Sequence, residues 1–395
     1  MHAAHSVSHL HLLLPFALPA AADAQATLQG LDKPALDKLL ERASLVEREN
    51  GEDFQRTLPH ERWVTRRFGV GRAATPPAGG GQGRDTAPTA HDASSPAAND
   101  DTPLAPYMLL ADGGKPRDAV WACVEPVHVQ VTHDHLALID PEMLELSTED
   151  AATLLALARP LIEALGVELA APTPLRWYLS SEQLGTLAGA APLRAAGRNI
   201  EIWLPREAHT GHRSRAWMKL QNEVQMAWFE HPVNQAREAR GLPAANSIWL
   251  HAQGRIMPVS RPFERVLSHA AATRGLALAC GAALGAPPPS LAMLRQPIDG
   301  GTDAGAPAHA GAGGTLVELG QLSAPFIQQD WPRFRAMFAT LERDWFAPAL
   351  AALQRGELAE LTLTLCGDTG STTLTVRRID LKKFWRRRPF ASLLQ

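Results

Sequence analysis

Residues 219–254 read KLQNEVQMAWFEHPVNQAREARGLPAANSIWLHAQG, and no other part of the chain sets so many polar residues inside apolar helix and strand patterns. The first part is spaced as a helix, with Trp217, Leu220, Val224 and Trp228 on one face and Met218, Met226 and Phe229 on the other. A helix that is apolar nearly all round is expected to be buried. Asn222, Glu223 and Gln225 would then be partly enclosed, and each would need a partner, because an enclosed polar group left unbonded is costly. Pro232 interrupts this helix, a turn at 231–234 opens a short basic helix carrying Arg237 and Arg240, and Gly241 closes it. Pro243 and Asn246 lead into an expected strand over 247–250. Arg237 and Arg240 share a helix face. With Asn222, Glu223, His231, Asn234, Asn246 and His251 they form the candidate ligand site, suited to a small anionic metabolite bearing phosphate or carboxylate. Arg and Asn also build networks that lock a buried helix to a sheet, and the residues alone leave both readings open.

Working outward, residues 361–366 (LTLTLC) and 315–319 read as buried strands, with a long amphipathic helix over 331–354 between them. Strand, crossover helix and strand make the βαβ unit of a parallel sheet. Ligands in such sheets gather beyond the carboxyl ends of strands, here Gly320-Gln321-Leu322-Ser323 and Gly367-Asp368-Thr369. The apolar run 11–18 fits a first buried strand, and 36–46 and 59–68 fit helices beside it. Strand-like stretches at 119–130 and 136–139, a helix opened by Ser147 with Asp150 three residues on, and strands at 167–170 and 176–179 make a smaller α+β unit. Residues 263–284 read as a helical segment. The fold class is therefore α/β, a parallel-sheet core with a smaller α+β insertion. Its expected division assigns 9–70, 181–284 and 315–395 to the core and 119–180 to the insertion, with flexible linkers at 71–101 and 285–314. Both linkers lack aromatic residues and a sustained apolar period.

Composition excludes several classes. The chain has 395 residues and a net charge of −3, so the basic run from Arg377 to Arg388 is a local feature, and nucleic acid is not an expected partner. Three scattered cysteines without CxxC spacing indicate neither a disulfide framework nor a zinc site, and the His133-Asp134-His135 turn lacks the further ligands a metal needs. A reduced, cytoplasmic setting fits. Residues 1–24 also resemble a short signal-peptide h-region with an Ala-x-Ala-like site, which leaves export as the alternative. No stretch is long enough to span a membrane.

The segment HPVNQAREARGLPAANSIWLHAQG at 231–254 resembles a motif of archaeal-type cofactor-independent phosphoglycerate mutases, members of the alkaline-phosphatase superfamily. The start HLLLPFAL at 11–18, KLQNE at 219–223 and LTLCGD at 363–368 are similar to bacterial RpfE-type regulatory proteins. The resemblance implies an alkaline-phosphatase-like core. It also implies two divalent metals held by Asp and His at strand ends, with a Ser nucleophile. This chain departs from that pattern. Where the first strand should end in Asp-Gly stands Leu14-Pro15-Phe16-Ala17, and the next Asp is Asp23. Where Asp-Glu-x-Gly-His is expected stands Gly320-Gln321-Leu322-Ser323, and where Asp-His is expected stands Asp368-Thr369. A single carboxylate cannot hold two ions. The expectation is a non-catalytic, regulatory protein with no metal and no cofactor. The alternative is an active mutase or phosphotransferase using manganese or magnesium, with Asp368 as its catalytic carboxylate.

Overall fold

The computed structural model describes residues 8–20, 30–70, 102–294 and 314–394, apart from 53, 183, 185–186 and 208–210. Its strands are β1 (His9–Leu18), β2 (Ser44–Glu49), β3 (Trp121–Val127), β4 (Val129–Val131), β5 (Leu136–Leu138), β6 (Glu168–Thr173), β7 (Arg176–Ser180), β8 (Leu187–Ala188), β9 (Arg206–Glu207), β10 (Ser247–Gly254), β11 (Arg265–Leu267), β12 (Ala283–Gly285), β13 (Thr315–Glu318), β14 (Glu360–Gly367) and β15 (Ser371–Arg377). Seven of them form one sheet in the order β12-β11-β13-β1-β14-β15-β2. From β12 to β14 neighbouring strands run parallel, and β15 and β2 close the far edge antiparallel. The strand types follow from burial. β1 is almost continuously apolar because both its faces are covered, while edge strand β2 leaves Leu45 and Val46 exposed and carries Glu47, Arg48 and Glu49.

One face of this sheet is covered by the segment that links β13 to β14. It runs as helix Trp331–Leu341, a π turn at Glu342–Phe346 and helix Ala347–Arg355. Phe334, Phe338, Leu341, Trp345 and Leu353 pack into one core with Leu12, Leu14 and Leu363. The π turn aims the Glu342 carboxylate at the start of helix Pro34–Arg42, where it accepts the Ala35 and Leu36 N–H groups at 2.6 and 3.1 Å. Those N–H groups have no partner inside their own helix. Helices Pro59–Arg67, Ala105–Ala111 and Ala271–Ala279 cover the opposite face.

The second sheet is antiparallel, in the order β10-β3-β7-β6. Strand alternation divides its residues between two cores. Ala122, Val124, Trp177, Leu179, Ile248 and Leu250 face helices Thr148–Glu163 and His212–Trp228, while Trp121, Cys123 and Tyr178 face the helices of the larger unit. The inserted sheet thus draws its edge strand from 247–254, beyond the 119–180 expected, because β10 pairs with β3. Residues 263–284 are not one helix but β11, helix Ala271–Ala279 and β12. The expected linker 71–101 lies outside the described residues, as does 295–313. The start of the second expected linker instead forms helix Leu291–Leu294, with both leucines in the main core.

Candidate functional site

Helix His212–Trp228 buries Trp217, Leu220, Val224 and Trp228 but leaves Met226 and Phe229 at 77% and 73% exposure. It is amphipathic rather than enclosed. Asn222 is consequently exposed, and Glu223 pairs with Lys219 across one helical turn. His231 caps helix Pro232–Ala239 by accepting the Val233 N–H. Asn234 is buried, donates to the carbonyls of Trp228 and Ala245, and accepts the Ala245 N–H. Asn246 exchanges two bonds with the backbone of Val129. Arg237 is fully buried, and its guanidinium donates to the carbonyls of Pro243, Leu144 and Glu145 and to Asp150. Arg240 lies largely in solvent, with Asp150 3.5 Å away. The structure does not bring these residues together as a pocket. The polar groups of His231, Asn234, Arg237 and Asn246 are bonded to the chain's own backbone, and the carbonyls around Arg237 gain in it the donor that buried carbonyls need.

The strand ends of the large sheet are distinctive. β1 bulges between Leu14 and Leu18, where Phe16 adopts a left-handed φ of 55°. The Phe16 ring is buried, with His60 5.6 Å and Phe326 5.0 Å away, so an aromatic plug stands where the resemblance implies a metal carboxylate. Asp368, beyond β14, accepts from Arg198 at 2.5 Å, with Arg194 3.1 Å away. Its charge is matched by two arginines, a setting that opposes metal ligation. β13 closes on Glu318, and Leu319-Gly320-Gln321-Leu322-Ser323 follow it. Glu318 is buried and accepts from the Ser268 hydroxyl at 2.6 Å. Burial pushes its carboxyl up, and the hydrogen bonds from Ser268 and Thr273 offset only part of that.

Between this edge and the second sheet lies a cavity of about 280 Å³. Glu61, Glu125, Asp140, Glu142 and Glu318 line it, and Arg176 is the one lysine or arginine among its described lining residues. Asp112 holds Arg176 through two bonds, of 2.9 and 2.6 Å, and accepts the Tyr178 hydroxyl at 2.5 Å. His60 is half-buried in the wall, with Nδ1 enclosed. Burial, then the Arg62 charge, lowers it to about 3, so it stays neutral. His251 also lines the cavity and is the one member of the sequence-derived set found there. Glu125 faces it, Nε2 to Oε1, at 3.6 Å. Burial alone would raise the Glu125 carboxyl, but His251 and Arg176 outweigh it and bring it down. Sequence reasoning missed Cys123, Glu125, Asp140, Arg176 and Glu318. The one available signal was the alternation of polar Cys123 and Glu125 with apolar neighbours on a buried strand.

No family model matches the chain, and no curated protein matches it. Among solved structures it is similar to the PH0037 protein from Pyrococcus horikoshii at 11% identity, covering 98% of this chain and 92% of that one, with a TM-score of 0.49. It is similar also to the cofactor-independent phosphoglycerate mutase from Thermoplasma acidophilum DSM 1728 at 12% identity, covering 98% and 94%, with a TM-score of 0.43. The residues at the C-terminal run make contacts of their own. Arg386 donates to Ser44 and to the Arg42 carbonyl, Lys383 holds Asp380, and Arg377 pairs with Glu360. Among the described residues no helix is long and apolar enough to cross a membrane.

Proposed function

We propose that the chain is a non-catalytic, phosphoglycerate-mutase-like protein of the alkaline-phosphatase superfamily that serves a regulatory role, as RpfE-type proteins do, by binding a small metabolite in the intersheet cavity. The observation that supports the loss of mutase chemistry is the state of the strand ends. Phe16 fills one ligand position, Gln321 stands at another, and Asp368 is spent on Arg194 and Arg198. Phosphoryl transfer needs concentrated positive charge on the transferring oxygens, and two metal ions need several carboxylates free to bind them. The cavity favours a ligand with an acid group toward Arg176 and hydroxyl or amino groups toward the surrounding carboxylates. Arg237 and Arg240 are not part of this ligand proposal. A cytoplasmic location fits the central place of β1, whose residues coincide with the apolar run of the signal-like start.

A mutase assay with added manganese, on protein freed of host enzyme, tests the reading. The expected result is no turnover, together with a thermal shift from one or more small phosphorylated or carboxylated acids. Turnover that disappears in Asp368→Ala would establish the active alternative instead.

A further inference from the structure

We infer that Cys123, Glu125 and His251 form a binding site for one divalent transition-metal ion of the zinc type, with an open coordination position toward the intersheet cavity. The inference is independent of the mutase-like reading, because the site belongs to the second sheet and not to the strand ends discussed above. Its geometry comes from pairing. Cys123 and Glu125 are two apart on β3 and share a face, and His251 on β10 is the direct cross-strand partner of Cys123. Three donors of different kinds therefore converge without any local sequence spacing. All three lie within 4.8 Å of one another. Bonds of about 2.0–2.3 Å in a tetrahedral zinc site set ligand atoms roughly 3.3–3.8 Å apart. Glu125 already stands 3.6 Å from His251 Nε2 and 3.9 Å from Cys123 Sγ.

The alternative is a bare His–carboxylate ion pair, which the distance allows but which leaves the imidazole without a hydrogen bond. At 3.6 Å the His251–Glu125 contact is too long for a hydrogen bond. His251 is 4% exposed, and neither ring nitrogen has a hydrogen-bond partner. A buried imidazole left unbonded on both sides carries a cost that a metal bond removes at one nitrogen. A dication also turns the repulsion between a thiolate and a neighbouring carboxylate into ligation, with the thiol proton released to solvent as the ion binds.

The donor set selects the ion. Thiolate with imidazole suits zinc or cobalt and disfavours magnesium and manganese, which prefer oxygen. Three protein ligands and a fourth position on a cavity are the arrangement of zinc sites that hold water or a substrate group. Tyr178, the β7 partner of Cys123, is held by its bond to Asp112, and Arg176 lines the same cavity as Glu125 and His251. The ion would also offset the cavity's carboxylates and admit an acid group as fourth ligand.

The test uses the full chain, stripped of metal with a chelator and titrated with Co²⁺ and then Zn²⁺. One equivalent of Co²⁺ is expected to give a thiolate-to-cobalt charge-transfer band, which Zn²⁺ abolishes, and Zn²⁺ is expected to raise the thermal midpoint. Cys123→Ser should remove the band and weaken Zn²⁺ binding more than about 100-fold, beyond the 10–100-fold that loss of an outer partner costs. His251→Gln should weaken Zn²⁺ binding similarly, whereas Cys280→Ser, a thiol outside the site, should change neither. A wild-type chain that shows no thiolate band with Co²⁺ overturns the inference whatever the variants do. So does a band that survives Cys123→Ser or is lost in Cys280→Ser.

Discussion

Arg237 and Arg240 are three residues apart on one short helix and have opposite fates. Arg237 sits in a closed cage of carbonyls with Asp150 at 3.4 Å, while the Arg240 side chain is 57% exposed at the rim. Removing one member of a buried, bonded charge network leaves the remaining groups without partners, so Arg237→Ala is expected to cost about 3 kcal/mol or more. Arg240→Ala is expected to stay within about 0.5 kcal/mol of wild type. Urea denaturation of both variants checks this, and equal midpoints would contradict the structural role. The sequence marked Asn222, Glu223 and Gln225 as partly enclosed, but Asn222 and Gln225 are exposed, whereas Asn234 and Arg237, read as ligand-site candidates, are buried and bonded to backbone. It could not say which partners these two and Asn246 would take. Those are backbone groups of Trp228 and of 243–245 nearby in the chain, and of Val129 and 144–145, which only tertiary packing brings in. The same limit hid the Cys123–Glu125–His251 cluster, whose members meet only through the pairing of β3 with β10.

At the scale of elements, helices Ala105–Ala111 and Ala271–Ala279 make an especially close approach. A Cβ on Gly275 would stand 1.8 Å from the Tyr107 carbonyl oxygen, so the backbones touch only because no side chain intervenes. Gly275→Ala should therefore destabilise by about 1–3 kcal/mol despite the better helix propensity of alanine, a sign opposite to that of an exposed helical glycine. Thermal melts of the variant decide which effect wins. The turn after β15 supports a second expectation. Asp380 accepts the Arg377 N–H at 3.0 Å and Lys383 Nζ at 2.5 Å. Burial alone would raise its carboxyl, but Lys383, the Arg377 N–H and Arg386 bring it below the ordinary 3.8. As the pH falls, the unfolded chain takes up this proton first. The stability Asp380 contributes is thus fully present above 3.8 and is lost as the pH drops through the lower folded value. Asp380→Asn should lower stability at neutral pH by about 1–2 kcal/mol and flatten the acid limb, as read from urea midpoints between about pH 3 and 7. Strands β1, β13 and β14 and the helical link between the last two were legible, because unbroken apolar runs and a 3.6-residue period survive any context. The span 263–284 was not, since its short strands are too brief for a period to show.

At the scale of the molecule, the insertion and the large sheet share a core. Leu13, Leu316 and Cys366 of the large sheet lie in one apolar cluster with Trp121, Cys123 and Tyr178 of the second. Polar ties reinforce it. Arg194 donates to the carbonyls of Gln55 and Asp368, Arg56 donates to those of Ile202 and Trp203, and Gln328 donates to Asp140. The extent of the insertion escaped the sequence because β10 returns to β3 after a long excursion, and no local pattern announces such a pairing. Chains of this length ordinarily unfold in stages, domain by domain. Here removal of the second sheet would expose the apolar faces of helices Ala105–Ala111 and Ala271–Ala279, so neither part can lose its structure without stripping the other's core. The expected outcome is a shared transition. In hydrogen exchange read by mass spectrometry across a urea series, peptides covering β14 and β15 should lose protection at the same urea concentration as peptides covering β3 and β7. Loss of protection in β3 and β7 at clearly lower urea would show two separately stable bodies. The cavity would then lie across a hinge, and its ligands would be held by parts free to move against each other.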